Sequence, residues 1–257
     1  YANKMNDELA RIKNLQYQLE NRDSFLRLTI FNEDSNIVKM NLLNALREDL
    51  YMVNNSSSLI YNSGVYYRDL GMTVSARNGV TNVPNKEQSV LDAYVERNIS
   101  NPLLNKDNKT LLIIKDQRFM PGRMPIYMIY IELSVNQVIN ALDEFEIPSD
   151  GGAFIISPNG GWIIYSRNID PIMRNVVYQY ALAKGRNEGI GTFMSGQEKY
   201  WASSARINHL DALLVVYKSE KAIIGSIKEV NGIFLILLAG SLIPVVLFAF
   251  SLNKMIH

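Results

Sequence analysis

Met5, Leu9, Ile12, Leu15 and Leu19 are separated by steps of four, three, three and four residues. That spacing puts them on one face of an amphipathic helix. No Gly or Pro interrupts residues 5–31, so the pattern predicts one long helix over the first 31 residues. A second helix is expected over Ile37 to Met52, separate from the first or joined to it with a break near Asp34-Ser35-Asn36. The period then changes. SGVYYRD and MTVSARNG read as a hairpin around Asp69-Leu70-Gly71, with Val80 to Asn85 as loop. KEQSVLDAYVERN is a short helix with Val90, Leu91, Tyr94 and Val95 on one face. TLLIIKDQRF and PIYMIYIEL are apolar at nearly every position, the signature of inner strands covered on both faces. In SVNQVINALDEF, Ser134 and Gln137 form a capping box, and Val135, Val138, Ile139 and Leu142 make the buried face.

The second half repeats this order. AFIIS and GWIIYS flank Pro158-Asn159-Gly160-Gly161, and Asn-Gly between apolar runs is a hairpin signal. Asp170 and Pro171 open a helix as N-cap and first-turn proline, and Gly185 closes it. GTFMS and EKYWASSARI are strands around Gly196-Gln197, and DALLVVYK is another. Ser219 caps SEKAIIGSIKEV, which runs on into NGIFLILLAGSLIPVVLFAFSL. From Gly232 to Leu252 no side chain is charged, and about 20 apolar residues in a helix cross a bilayer core. Each half therefore reads hairpin, helix, strands, helix, an internal repeat of order rather than of residues. The fold class expected is α+β with antiparallel sheets. The expected organisation is a helical spine over residues 1–52, a first module over 53–147, a second over 148–229 and a transmembrane helix over 230–252. The boundary falls in the turn-rich stretch Ile147 to Gly152.

Composition narrows the possible functions. Of 26 Lys and Arg only Lys254 follows the apolar run, and there are 25 Asp and Glu, so the body is neutral and mixed in sign. That excludes a strongly basic nucleic-acid surface. Cysteine is absent, so there is no disulfide framework and no thiolate metal site. Two histidines leave little for a transition metal, and no cofactor is expected. There is no Gly-Xaa-Ser-Xaa-Gly elbow and no phosphate loop, and the glycines of GIGTFMSG open a strand. Asp143, Glu144 and Glu146 read as a solvated helix end, so no catalytic residue is expected. Ligand pockets use aromatic platforms with Arg nearby. Tyr66, Tyr67, Arg68, Arg77 and Tyr94 offer this in the first half, and Trp162, Tyr165, Tyr200 and Trp201 in the second. The competing reading makes the rings core and the arginines surface. Arg118 and Arg123 flank FMPG, read as an exposed turn.

Order and motifs together resemble the double Cache sensor domain. ARIKNLQYQLENRD resembles the first helix of YesM-type sensor histidine kinases of Gram-positive bacteria. GAFIISPNGGWIIYS is similar to the opening hairpin of a membrane-proximal Cache module, and EKYWASSARINHLDALLVVYKSEKAI to its closing strands and exit helix. MIYIELSVNQVINALDE resembles the end of the distal module. The resemblance implies an extracellular sensor in the cell membrane, with an earlier span before Tyr1 and a HAMP and histidine kinase region beyond His257. It implies a homodimer that recognises a carbohydrate or other small nutrient, directly or through a ligand-loaded solute-binding protein. The Arg-Xaa-Trp-Tyr core of the amino-acid-binding members is absent, since both tryptophans lie in the second half. Other outputs for the same input region are a chemoreceptor, a membrane-bound AraC-like regulator or a docking module for a solute-binding lipoprotein.

Overall fold

A computed structural model describes residues 2–30, 35–96, 103–104, 109–116, 125–145, 150–157 and 161–225. The elements are α1 (Ala2–Glu20), α2 (Asp23–Thr29), α3 (Asn36–Asn55), β1 (Ile60–Tyr67), β2 (Met72–Ser75), β3 (Gly79–Asn82), α4 (Lys86–Glu96), β4 (Leu103–Leu104), β5 (Thr110–Asp116), β6 (Tyr127–Ser134) and α5 (Val135–Asp143). They continue with β7 (Gly151–Ile156), β8 (Ile163–Tyr165), α6 (Pro171–Lys184), β9 (Gly189–Ser195), β10 (Glu198–Ile207), a 3-10 turn (Asn208–Leu210) and β11 (Ala212–Ser219). Residues 220–225 are helical.

The long first helix is two helices. Arg22 takes an extended conformation (φ −74°, ψ 141°), and the Asn21 side chain donates to the Tyr17 carbonyl, closing α1 before α2 begins. The break turns Phe25 and Leu28 inward onto the first sheet. Ser35 caps α3 by accepting from the Val38 N–H, and Ser134 caps α5 by accepting from Gln137. Asp170 caps α6, and Gly185 ends it at φ 60°. The segment after Arg77 is a further correction. Val80 to Asn85 is not all loop, because Gly79 at φ 69° turns the chain back and Gly79–Asn82 pairs with β2 as an edge strand.

All strand pairings are antiparallel, and the class is α+β. The first sheet has six strands in the order β3-β2-β1-β6-β5-β4, the second five in the order β8-β7-β11-β10-β9. Omitting the edge strand β3, the two orders correspond strand for strand. The repeat extends to one detail. Gly64 on β1 faces Tyr130 on β6, and Gly152 on β7 faces Tyr217 on β11. In each case a Cβ on the glycine would meet the tyrosine hydroxyl at 2.3 or 2.8 Å, so only glycine lets the ring lie across the neighbouring strand.

α1 runs along both sheets. The Asn6 side chain donates to the Arg206 carbonyl and accepts from the Asn208 N–H, beside β10. One turn before its end, buried Gln16 donates to the Ile113 carbonyl on β5. Lys115 pairs with Glu20, and the Tyr127 hydroxyl donates to the same carboxylate. A single apolar cluster contains Met5, Leu9 and Ile12 of α1, Ile113 and Ile131 of the first sheet, and Ile155 and Leu214 of the second. The two sheets therefore share one core across the turn-rich segment between them. Among the described residues no helix is long and apolar enough to cross a membrane. The span expected at 230–252, the Pro158-Asn159-Gly160 turn and the Arg118 and Arg123 loop lie outside the described residues.

Candidate functional site

Alternation along β1, β5 and β6 gives the first sheet two unlike faces. Val65, Tyr67, Leu111, Ile113, Ile129 and Ile131 point to the side covered by α1, α2 and α3. Asn62, Tyr66, Leu112, Ile114, Met128, Tyr130 and Glu132 point to the other. α4 covers only part of that second face. Asn85 fixes its start by accepting from the Gln88 N–H while its amide donates to Thr73 on β2. Beyond Leu91 the face is open, and there a cleft of about 700 Å³ lies between β1, β5, β6, α4 and the start of α5. Its size is that of a small-molecule site.

The cleft is polar and charged. Arg77, Lys86 and Lys109 line it with Glu87 and Glu132. The Arg77 guanidinium lies 3.8 Å from the centroid of the Tyr61 ring, a cation–π contact, and has no salt bridge among the described residues. Asn62, 2% exposed, accepts from the Arg77 N–H and braces the floor. Asn78 donates to one oxygen of Glu87, and the other oxygen, Oε2, is buried. Tyr130 is 1% exposed, and its hydroxyl is buried in the cleft wall against the Glu87 carboxylate and the Ser75 hydroxyl. Burial pushes the Tyr130 phenol far up, and the Glu87 carboxylate beside it adds to this, so it remains a neutral donor.

Burial also raises Glu132 above the ordinary carboxylate value of 4.5, and the nearby Glu87 charge pushes the same way, against an Asn62 hydrogen bond and the Lys86 and Arg77 charges. A raised carboxylate binds a proton in the folded protein that the unfolded chain has already lost. Its contribution to stability is therefore full below pH 4.5 and is lost as pH rises through the raised value. Glu132→Gln carries no charge at any pH. It is expected to melt above the parent protein at mildly alkaline pH, with the gap closing as pH falls toward 4.5. Thermal melts across pH measure this. A variant that melts lower at alkaline pH would mean that Lys86 and Arg77 hold the charged form.

Of the nine residues singled out in the sequence, Arg77 alone lines this cleft. Tyr66 and Tyr94 are packed in the apolar cluster beneath α4. Tyr67 points to the opposite face, its ring 5.7 Å from that of Phe25. Arg68 is exposed at the end of β1, paired with Asp69. In the second half, Trp162 belongs to the core shared by the two sheets. Tyr165 and Tyr200 belong to the cluster under α6, where Tyr200 stacks on Phe193 at 5.3 Å. Trp201 is 39% exposed on the other face of β10 and donates to Glu220. The four are thus distributed over different faces.

Glu87, Lys86, Lys109, Tyr130 and Glu132 were not among the sequence candidates. One signal pointed to the last of these: Glu132 is the sole charge in PIYMIYIEL, whose apolar run reads as a strand covered on both faces. A carboxylate buried there needs partners. Among the described residues no group of three His, Asp or Glu is placed to hold a metal ion.

No protein-family model matches the chain, and no curated protein matches its sequence. Solved structures do match. A domain from Vibrio parahaemolyticus described as of a sensory box/GGDEF family protein is 12% identical over 86% of this chain and 92% of its own, at TM-score 0.53. The extracellular domain of a protein described as a histidine kinase, vpHK1S-Z8, is 12% identical over 86% of this chain and 88% of its own, at TM-score 0.50. The sensory domain of the Campylobacter jejuni chemoreceptor Tlp3 with isoleucine bound is 14% identical over 86% and 93%, at TM-score 0.46. At these identities the likeness is one of fold.

Proposed function

We propose that this chain is the extracellular ligand-sensing and transmembrane signalling region of a receptor, with the double Cache organisation and a sensor histidine kinase output. Residues 53–147 are the membrane-distal module, 148–229 the membrane-proximal one and 230–252 the span, and the receptor acts as a homodimer. The observation that carries the reading is the cleft on the first sheet, built from buried polar groups on a fold of the kind found in sensory domains. Its ligand is a small nutrient of carbohydrate type. A sensor also needs a stiff path out, and β11 supplies one. Ser219, its last residue, is buried and accepts from the Ala222 N–H, so strand passes into helix without a linker.

A ligand shifts a receptor only by its differential affinity for two arrangements. The test is a thermal-shift screen of the chain in detergent against sugars, sugar acids and organic acids, repeated on Arg77→Glu. A saturating ligand at about 100 times its Kd adds about 2.7 kcal/mol, or roughly 5 °C or more for a protein of this size. The reading predicts such a shift in the parent protein and its loss in Arg77→Glu. No shift from any compound, or shifts indifferent to Arg77, would refute it. Inserting Gly-Gly after Ser226 is expected to leave binding intact and abolish ligand-dependent output in a full-length receptor, measured by reporter activity. Unchanged signalling would contradict transmission through the exit helix.

A further inference from the structure

We infer that the cleft of the first sheet takes an organic anion together with a proton, and that Glu132 receives the proton. The inference rests on the sensing reading above and deepens it, naming the charge of the ligand and the condition that favours its binding. Glu132 lies on β6 between Asn62 of β1 and Leu112 of β5. On the same face of the sheet, Leu112, Ile114, Met128 and Tyr130 are buried in an apolar cluster with Leu91 of α4. Among the described residues Glu132 forms no salt bridge, and its side chain bonds to that of Asn62. The charged groups that face it are Glu87 and Lys86 of α4 and Arg77 of the β2–β3 turn. Lys109, just before β5, lines the same cleft. β1 and α5 contribute Tyr61, Asn62 and Asn136, which carry no charge.

Glu87 is already committed to the wall. Asn78 donates to one of its oxygens at 2.6 Å, and the Tyr130 hydroxyl lies against the carboxylate. Glu132 is the carboxylate left facing the cations, and the cations have room for another anion. Neither Arg77 nor Lys109 forms a salt bridge among the described residues. The Arg77 guanidinium lies over the face of Tyr61, which leaves its N–H edge for a carboxylate, the group it matches best. A carboxylate drawn to Arg77 and Lys109 brings a second negative charge toward Glu132 in a partly desolvated site, where like charges repel. A proton taken from solvent onto Glu132 removes that repulsion and makes the carboxyl a hydrogen-bond donor. Burial already lifts Glu132 above the ordinary carboxylate value, so it accepts the proton at milder acidity than an exposed glutamate. Linkage is reciprocal: the proton favours the anion, and the anion favours the proton. Affinity is therefore level and highest below the raised value of the empty cleft, and falls as pH rises through it. A neutral ligand would show little dependence, and an ammonium ligand the opposite slope.

The test is calorimetric titration of the whole 257-residue chain in detergent with galacturonate, tartrate, galactose and alanine, repeated on Glu132→Gln and Arg77→Gln. Titrations are run at about pH 5 and about pH 8, where both acids are ionised, and in two buffers of different protonation enthalpy to count protons. Galacturonate and tartrate distinguish a sugar acid from a plain organic acid. The inference predicts that at least one acid binds, about tenfold more tightly at the lower pH, with net uptake of protons. Glu132→Gln, uncharged at both pH values, should bind that acid at the higher pH as tightly as the parent protein does at the lower, with the pH dependence gone. Arg77→Gln should weaken the acid by about tenfold or more at both. Equal affinity at the two pH values, or a pH dependence that survives in Glu132→Gln, would overturn the inference. Loss of acid binding in Glu132→Gln would also overturn it, as would acid binding indifferent to Arg77→Gln. Binding of galactose or alanine but neither acid would overturn the anion while leaving the cleft as the sensing site. The sensing reading falls separately, when no compound of the wider screen stabilises the chain in an Arg77-dependent way.

Discussion

Phe25→Ala is expected to lower stability by about 3–5 kcal/mol, the usual cost of emptying a fully buried aromatic site. For a chain of this size that is on the order of 10 °C in melting temperature. Phe25 is 0% exposed. Its ring makes an edge contact with Tyr127 at 4.7 Å and a tilted one with Tyr67 at 5.7 Å. Leu28, Leu46, Leu50, Val65 and Ile129 belong to the same cluster. The site lies under α2, which exists because the chain breaks at Asn21 and Arg22, and it cannot collapse without unseating that helix. Phe25→Leu should recover much of the loss. A circular-dichroism melt of Phe25→Ala within a degree or two of the parent protein would show that α2 does not seat in the core.

Ile12→Ala should cost about 2–5 kcal/mol, but its more telling consequence is where the loss is felt. Ile12 is 0% exposed in the cluster that includes both sheets. Both tryptophans lie in the second half, so their fluorescence reports the second sheet, while near-ultraviolet dichroism also takes in Tyr61, Tyr66, Tyr67, Tyr127 and Tyr130 of the first sheet. The two probes are expected to move together in Ile12→Ala, in a single transition at a lower temperature. Separation of the two curves would mean that α1 serves one sheet only.

The helices and strands were legible wherever a local signal agreed with tertiary context. The apolar stripe of α1, the Ser134 cap, the Asp170-Pro171 start and Gly185 stop of α6 each rest on neighbours a few residues away. The break at Asn21 was not legible, because polar helix formers on both sides hide a turn made by the Asn21 side chain and the φ and ψ of Arg22. β3 was hidden for a different reason: an edge strand with every second residue exposed has no hydrophobic period to read.

The candidate site was less legible than the fold. Tyr66 and Tyr67 are adjacent in the sequence and look alike, yet strand alternation sends them to opposite faces. Which tyrosine meets the cleft depends on the register of β1 against β6, which sets Gly64 opposite Tyr130. Arg77 was found because an arginine close to the tyrosines of β1 suits a ligand pocket. Glu87 and Lys109 come from segments distant in sequence and are brought to one cleft only by the sheet.

The same register gives β6 one face on the cleft and one on the helices. Tyr130 and Glu132 face the cleft, while Tyr127, Ile129 and Ile131 of the same strand face α1 and its helical neighbours. Glu20 receives Lys115 and Tyr127 from behind the cleft. Burial alone would raise the Glu20 carboxyl, but the bonds from Lys115 and Tyr127 outweigh it and hold the group below the ordinary range. Contacts therefore run from β6 through Glu20 to α1, and from Asn6 of α1 to β10 and the second sheet.

Hydrogen–deuterium exchange of the chain, with and without a saturating mixture of monosaccharides, sugar acids and amino acids, puts this account to its sharpest test. Slowed exchange in β1, α4 and β6, with a smaller change along α1, is the expected footprint. Protection confined to the second sheet, β7 to β11, with the first sheet unchanged, would place recognition elsewhere and contradict it.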